Sequence, residues 1–276
     1  GAARERVGDG GDARVVAPAG ELSRGLGAQL DVEVGVGEQG LEAIAGAAAL
    51  YSSVGHGGAS AYIALMALAG LAPEEVRPAA LVLNILVAGL GAFRFLRAGR
   101  FDWAVFWPLA ITAIPAAFLT GRIDVPDEVF RPLLAVALAA AALRYLVWPQ
   151  IDAVKPSAAP SKLVALPVGL ALGALAGLTG IGGGVYLSPL LVFSGWSDPQ
   201  RATGIAACFI VVNSIAGLAG RTSSLALLPG YLPWLALAAI IGALIGTTWS
   251  LKSLGRKGVL RVLGIVLGLA AVALAT

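Results

Sequence analysis

The sequence predicts an all-α, polytopic integral membrane protein. It reads as two inverted repeats, each joining a glycine-broken, re-entrant helix pair to three transmembrane helices, about eight to ten membrane segments altogether. Three observations carry this. The composition is 58% hydrophobic and 13% charged with a mean hydropathy of +0.86, far from the roughly 45–50% apolar and about 25% charged of soluble domains. Long apolar segments follow one another, separated by short polar or Pro/Gly-marked connections. Finally, "YSSVGHGGASAY" at residues 51–62 interrupts one apolar run, and "GLTGIGGGVYLSP" at 177–189 interrupts another in nearly the same words.

Charge and cysteine content narrow the chemistry. The net charge of +3 and pI near 9.2 come from lysines and arginines scattered singly between apolar segments, a pattern that signals membrane topology and not a nucleic-acid surface. A single cysteine, Cys208, excludes an internal disulfide and a multi-cysteine metal site.

The arm 1–40 stands apart. It carries four arginines against seven acidic residues, holds no spanning run and lacks the features of a secretory signal. It shows no sustained period and reads as disordered and without function, and because it does not open with methionine it reads as a fragment or upstream extension of the native start. Apolar segments then follow at 41–54, 57–71, 78–96, 103–121, 130–148, 163–179, 182–195, 201–221, 230–250 and 258–276. Crossing a ~30 Å hydrocarbon core takes ~20 helical residues. The segments of 15 and 14 residues that follow each glycine motif are therefore too short to cross alone. "PQIDAVKPSAAPSK", 149–162, is the longest polar connection and reads as a linker between a first repeat, 41–148, and a second, 163–276.

The halves align. "GHGGAS" on "GIGGGV" pairs Gly55 with Gly180, Gly57 with Gly182 and Gly58 with Gly183; "LVLN" ending at Asn84 answers "IVVN" ending at Asn213. Their relative direction follows from positive charge. If each broken segment is a single crossing, the cations divide seven against six. If the chain turns back at each break, one side gathers Arg94, Arg97, Arg100, Lys155, Lys162, Arg201, Lys252, Arg256 and Lys257, nine against the four of Arg77, Arg122, Arg131 and Arg221. The second arrangement obeys the positive-inside rule, and its odd number of elements per half inverts the repeats, with both termini outside the cytoplasm.

That geometry gives the glycines a purpose. Two short helices would start near the bilayer midplane, each after a turn that only glycine makes readily. A helix start presents unpaired N–H groups and about half a positive charge. Irregular backbone at this depth is tolerated only where it faces protein or water. The facing starts would hold a small oxyanion without a buried lysine or arginine. Gly57, Gly58, Gly182, Gly183 and Gly184 are the candidate lining, whereas Gly169, Gly173 and Gly177, spaced by four, fit an ordinary helix-packing seam.

Other polar residues have two readings. Asn84 and Asn213 sit at matching places and either line the cavity or join helices. Ser52, Ser53, Ser60, Thr179 and Ser188 flank the breaks and either donate to an anion or bond their own backbone. His56 either couples a proton, its ordinary pKa being ~6.5, or is a hydrogen-bonded turn residue; Ile181 stands in its place in the second motif. Arg77 and Arg201 either recruit anions at the two mouths or snorkel at the interface.

The paired motifs, with "GLTGIGGGVYLSPLLVFSG", resemble the TauE/SafE family of sulfite and organosulfur anion exporters, over about residues 41–276. The resemblance implies a multi-pass carrier of the bacterial inner membrane for sulfite, sulfoacetate or related small anions, with its pocket at the two glycine turns and their hydroxyls. The partners are then a small anionic substrate and the lipid bilayer, with a homodimer left open, and no cofactor, metal or nucleic acid is called for. An enzyme is disfavoured: one histidine, one cysteine and carboxylates confined to connections, such as Asp102, Asp124, Asp127 and Asp198, supply neither a nucleophile–base pair nor a metal cluster. A cation carrier would be expected to hold an acid at membrane depth, and none is visible. A passive anion channel or a membrane scaffold is the alternative to alternating access.

Overall fold

The structure, a computed structural model, describes residues 37–123, 126–147 and 159–251, with Ile265, Gly268, Ala271 and Val272 of the last segment. Most of the arm 1–40, most of the linker 149–162 and most of the segment 258–276 lie outside the described residues. The helical body begins at Glu38. In order it comprises α1 (Glu38–Ser53), α2 (Ala59–Leu68), α3 (Pro73–Arg97), α4 (Trp103–Gly121), α5 (Asp127–Val147), α6 (Lys162–Thr179), α7 (Gly184–Phe193) and α8 (Pro199–Gly220). A 3-10 turn, Thr222–Leu227, leads into α9 (Leu232–Leu251), and there is no strand among the described residues.

The helix starts follow local chemistry. Asp102 caps α4 by accepting from the Ala104 amide at 2.9 Å, and Asp198 caps α8 by accepting from those of Gln200 and Arg201. The expected start of the third segment at 78 is corrected to Pro73, since Pro78 lies inside α3 and does not open it. A proline this early in a helix removes few ladder bonds.

Five helices, α3, α4, α6, α8 and α9, are long and apolar enough to cross a membrane. Their outward faces are apolar: Ile111, Leu119, Leu163 and Trp234 are 62%, 60%, 89% and 64% exposed. A surface of this kind is suited to lipid. The interior is lined with small residues instead. A Cβ at Gly169, Gly173 or Gly177 would collide with Leu109, Ala113 or Thr120 of α4, so the four-residue glycine spacing is a packing seam, as the sequence suggested. The same device joins α1 to α9, where Gly242 and Gly246 lie against the Ala45 and Ala49 carbonyls.

These contacts also fix directions. Residues 45 and 49 meet 242 and 246 in the same order, so α1 and α9 run the same way; 109, 113 and 117 meet 169, 173 and 177, so α4 and α6 do too. Helices α3 and α8 cross in opposite directions at the centre, Leu81 facing Gly217 and Phe95 facing Gly204. Arg100, just after α3, donates to the Ser250 and Leu251 carbonyls that end α9, while Arg201 pairs with Asp102. At the other end Arg221, just after α8, donates to the Gly121 and Ile123 carbonyls that end α4. Arg100 and Arg221 therefore each meet the negative end of a helix dipole, whereas Arg201 meets the carboxylates that cap α4 and α8.

Candidate functional site

Each glycine motif breaks a helix twice within four residues. Gly55 ends α1 with φ 81°, and the amides of Gly55 and His56 bond back to Ser52 and Tyr51, closing the helix in a Schellman turn. Gly58, φ 95°, then starts α2. In the second motif Gly180 ends α6 with φ 74° and Gly183, φ 75°, starts α7. All four sit in the left-handed region that favours glycine. Gly57 does not have a positive φ; its demand is spatial, because a Cβ there would strike the Asn84 Oδ1.

The helices so begun have ten residues each. At 1.5 Å per residue that is ~15 Å, half the hydrocarbon thickness. Asn84 lies eleven residues along α3 from Pro73, about 17 Å from its start by the same rise. Helix α2 begins at the level of Asn84, and a short connection after Leu68 leads to the start of α3 at Pro73.

Asn84 joins the two breaks. Fully buried, it accepts from the Ala59 amide at 3.1 Å through Oδ1, and its Nδ2 donates to the Ile181 carbonyl at 3.1 Å and to the Ser214 hydroxyl at 3.4 Å. Ile210 of α8 fills the space beside Gly57, Gly182 and Gly184. A hydrogen-bonded clasp and one isoleucine thus hold the start of α2 and the turn before α7 against the α3/α8 crossing.

Around this clasp the amides remain open. Ala61 and Tyr62 bond back to Gly58, and Tyr186 and Leu187 to Gly183, as ordinary first-turn bonds. The amides of Gly57, Gly58 and Ser60, and those of Gly182, Gly183, Gly184 and Val185, meet no acceptor among the described residues. Buried N–H groups are otherwise almost always paired. Two clusters of open donors therefore lie in the buried region around Asn84 and Ile210.

The flanking side chains divide. Ser53 donates to Leu50 O and Thr179 to Leu175 O, both at 2.6 Å, so both hydroxyls are held by their own helices. Ser60 donates to the Tyr51 hydroxyl at 2.8 Å, and Ser52 reaches Ala49 O and Ala243 O. The Ser188 hydroxyl is buried without a partner. Asn213, the sequence counterpart of Asn84, is as deeply buried, but its Nδ2 donates only to Phe209 O one turn back in α8 and its Oδ1 has no partner. His56 is buried in the first turn, 2% exposed.

The two arginines expected at the mouths differ. Arg201 is half exposed and paired with Asp102 and Asp198, whereas Arg77 is buried at 5% exposure with its carbonyl beside Gly180. Arg221 is buried as well. Residues that sequence reading passed over include Tyr51, Tyr62, Ile210 and Ser214. A signal for Tyr62 was present, since a residue four beyond a helix start lies over that start. No group of three or more metal-ligating side chains occurs among the described residues.

An apolar outer surface and five helices long and apolar enough to cross a membrane define the class, a multi-pass membrane protein. The chain belongs to the sulfite exporter TauE/SafE family, whose model matches residues 41–274. It is 36% identical over 230 residues to the probable membrane transporter protein y4hK of Sinorhizobium fredii (strain NBRC 101917 / NGR234), covering 79% of this chain and 91% of that one. No solved structure matches. The chain is accordingly a multi-pass membrane transport protein.

Proposed function

We propose that the protein exports small oxyanions, sulfite or an organosulfonate among them, by alternating access at the two glycine breaks. The observation that carries this reading is the set of unpaired amides at two buried helix starts, drawn together by Asn84. Unpaired N–H groups and helix dipoles favour negative charge, and no carboxylate among the described residues lies at this depth to favour a cation. The substrate-binding group comprises Gly57, Gly58, Ser60, Gly182, Gly183, Gly184 and Asn84, with Asn213, Thr179 and Ser53 around it; His56 is the candidate proton-coupling group.

Alternating access requires two units that can rock against each other. The helix directions support inverted repeats, 41–148 and 163–276: α1, α3 and α9 run one way and their counterparts α6, α8 and α4 the other. Arg201 beside Asp102, and Arg221 beside Gly121, support the arrangement in which most cations share the cytoplasmic end. An inside-negative potential then drives an anion outward, worth about 2.3 kcal/mol per charge per 100 mV. Counterflow in proteoliposomes against sulfite, sulfate, thiosulfate, sulfonates and carboxylates tests the reading. Saturable exchange of at least one sulfur oxyanion is expected; flux without saturation or counterflow would indicate a channel, and no flux of any anion would remove the proposal.

A further inference from the structure

Tyr62 is among the largest fully buried side chains of the protein, and its hydroxyl meets no partner among the described residues. It stands one turn into α2, and its side chain folds back toward the helix start, as helical side chains do. The ring lies over Gly58: a Cβ at that glycine would come 2.6 Å from both the ring carbon that bears the hydroxyl and the hydroxyl oxygen itself. The phenol is therefore placed at the start of α2, where the Gly57, Gly58 and Ser60 amides are open.

A buried hydroxyl without a partner costs free energy and stabilises nothing by itself. Packing alone would be served by phenylalanine. The second break shows the contrast, for Leu187 occupies the matching place four residues beyond Gly183 and is equally buried. The hydroxyl thus belongs to one break only.

We propose that the Tyr62 hydroxyl is a substrate-binding donor, which together with the open amides at the start of α2 grips one oxygen of the transported anion. The inference rests on the anion-transport reading above and makes the first break the stronger of the two binding ends. Tyrosine suits the task because its O–H donates while remaining neutral near pH 7, so the site gains a donor without a buried formal charge. The ring at the same time excludes water from the grip.

The test is Tyr62→Phe, which retains the ring over Gly58 and deletes the oxygen. Counterflow is measured with purified protein in proteoliposomes, using whichever of sulfite, sulfate and methanesulfonate the wild type exchanges best, alongside thermal unfolding in detergent without added anion. A hydrogen bond to a charged ligand leads us to expect KM to rise roughly tenfold or more. The unfolding midpoint without anion should stay level or increase, because an unpaired buried group has been removed. An unchanged KM would overturn the proposal, as would a fall in that midpoint accompanying the KM change, which would mark the hydroxyl as structural. Absence of saturable exchange by the wild type would overturn the anion reading itself, and this inference with it.

Discussion

Replacement of Asn84 by alanine should damage the protein far more than the same change at Asn213, although the two asparagines hold matching places in the sequence. Asn84 makes three buried hydrogen bonds that link α3 to the start of α2, to Ile181 and to α8. Truncation leaves the Ala59 amide and the Ile181 carbonyl buried and unpaired, at about 1–3 kcal/mol each. Hydrogen bonds measured within membranes fall lower, averaging about 0.6 and reaching about 1.7 kcal/mol. A loss of about 2–4 kcal/mol is the resulting expectation. Asn213 donates only to a carbonyl of its own helix and leaves its oxygen unpaired, so its truncation should cost less than about 1 kcal/mol beyond the packing loss common to both. Equilibrium unfolding in mixed micelles, followed by tryptophan fluorescence, measures the difference. Equal costs, or a larger one at Asn213, would refute the assignment of Asn84 as the clasp between the breaks.

Gly58→Leu and Gly183→Leu should each abolish anion counterflow while leaving protein in the membrane fraction, because both positions have positive φ and crowded Cβ directions; wild-type exchange by either would argue against the site. Gly173→Leu should instead prevent α4 and α6 from closing, since the Ala113 backbone occupies that space, and is expected to reduce the folded yield in detergent-resistant gels or size exclusion. His56→Gln should retain counterflow but lose its acceleration by an imposed pH gradient, and equal acceleration in both proteins would exclude a coupling role. Arg221→Gln should cost about 1–2 kcal/mol through loss of the charge on the α4 carboxyl end, read by the same unfolding assay.

The bounds of α4 could be read from the sequence to the residue, since Asp102 caps its start and the polar stretch after Gly121 ends it. The start of α3 could not, because proline is both a helix opener and an early-turn resident, so Pro73 and Pro78 offer two starts. The Gly169, Gly173 and Gly177 seam was legible because a four-residue period of small residues has one common use. Its counterpart at Gly242 and Gly246 was not, since the partner alanines lie about two hundred residues away in the chain. The two breaks were legible as glycine runs beside hydroxyls. Which hydroxyls remain available was not, because Thr179 and Ser53 bond carbonyls of their own helices whereas the Tyr62 hydroxyl meets no partner among the described residues, and that depends on rotamers that spacing does not encode.

The buried arginines raise the question of whether they, and not the amides, draw a negative solute inward. Arg221 is engaged with two carbonyls at the end of α4, where the helix carries about half a negative charge. Its field is largely cancelled at short range, and freeing it for an anion would expose those carbonyls in a medium that leaves them unpaired at several kcal/mol each. Arg77 lies in the second turn of α3, about 10 Å along that helix from Asn84 by the ordinary rise per residue. Its carbonyl and Cβ nevertheless lie beside Gly180, so on the proposed reading it can add to the potential at the second break. The amides of Gly182, Gly183 and Gly184 meet no acceptor among the described residues, and Gly182 and Gly184 are packed against Ile210 at the crossing. In the proposed carrier, which must release what it binds, fixed partial charges are the better suited attractor: they would hold an anion by several weak bonds that can break one at a time.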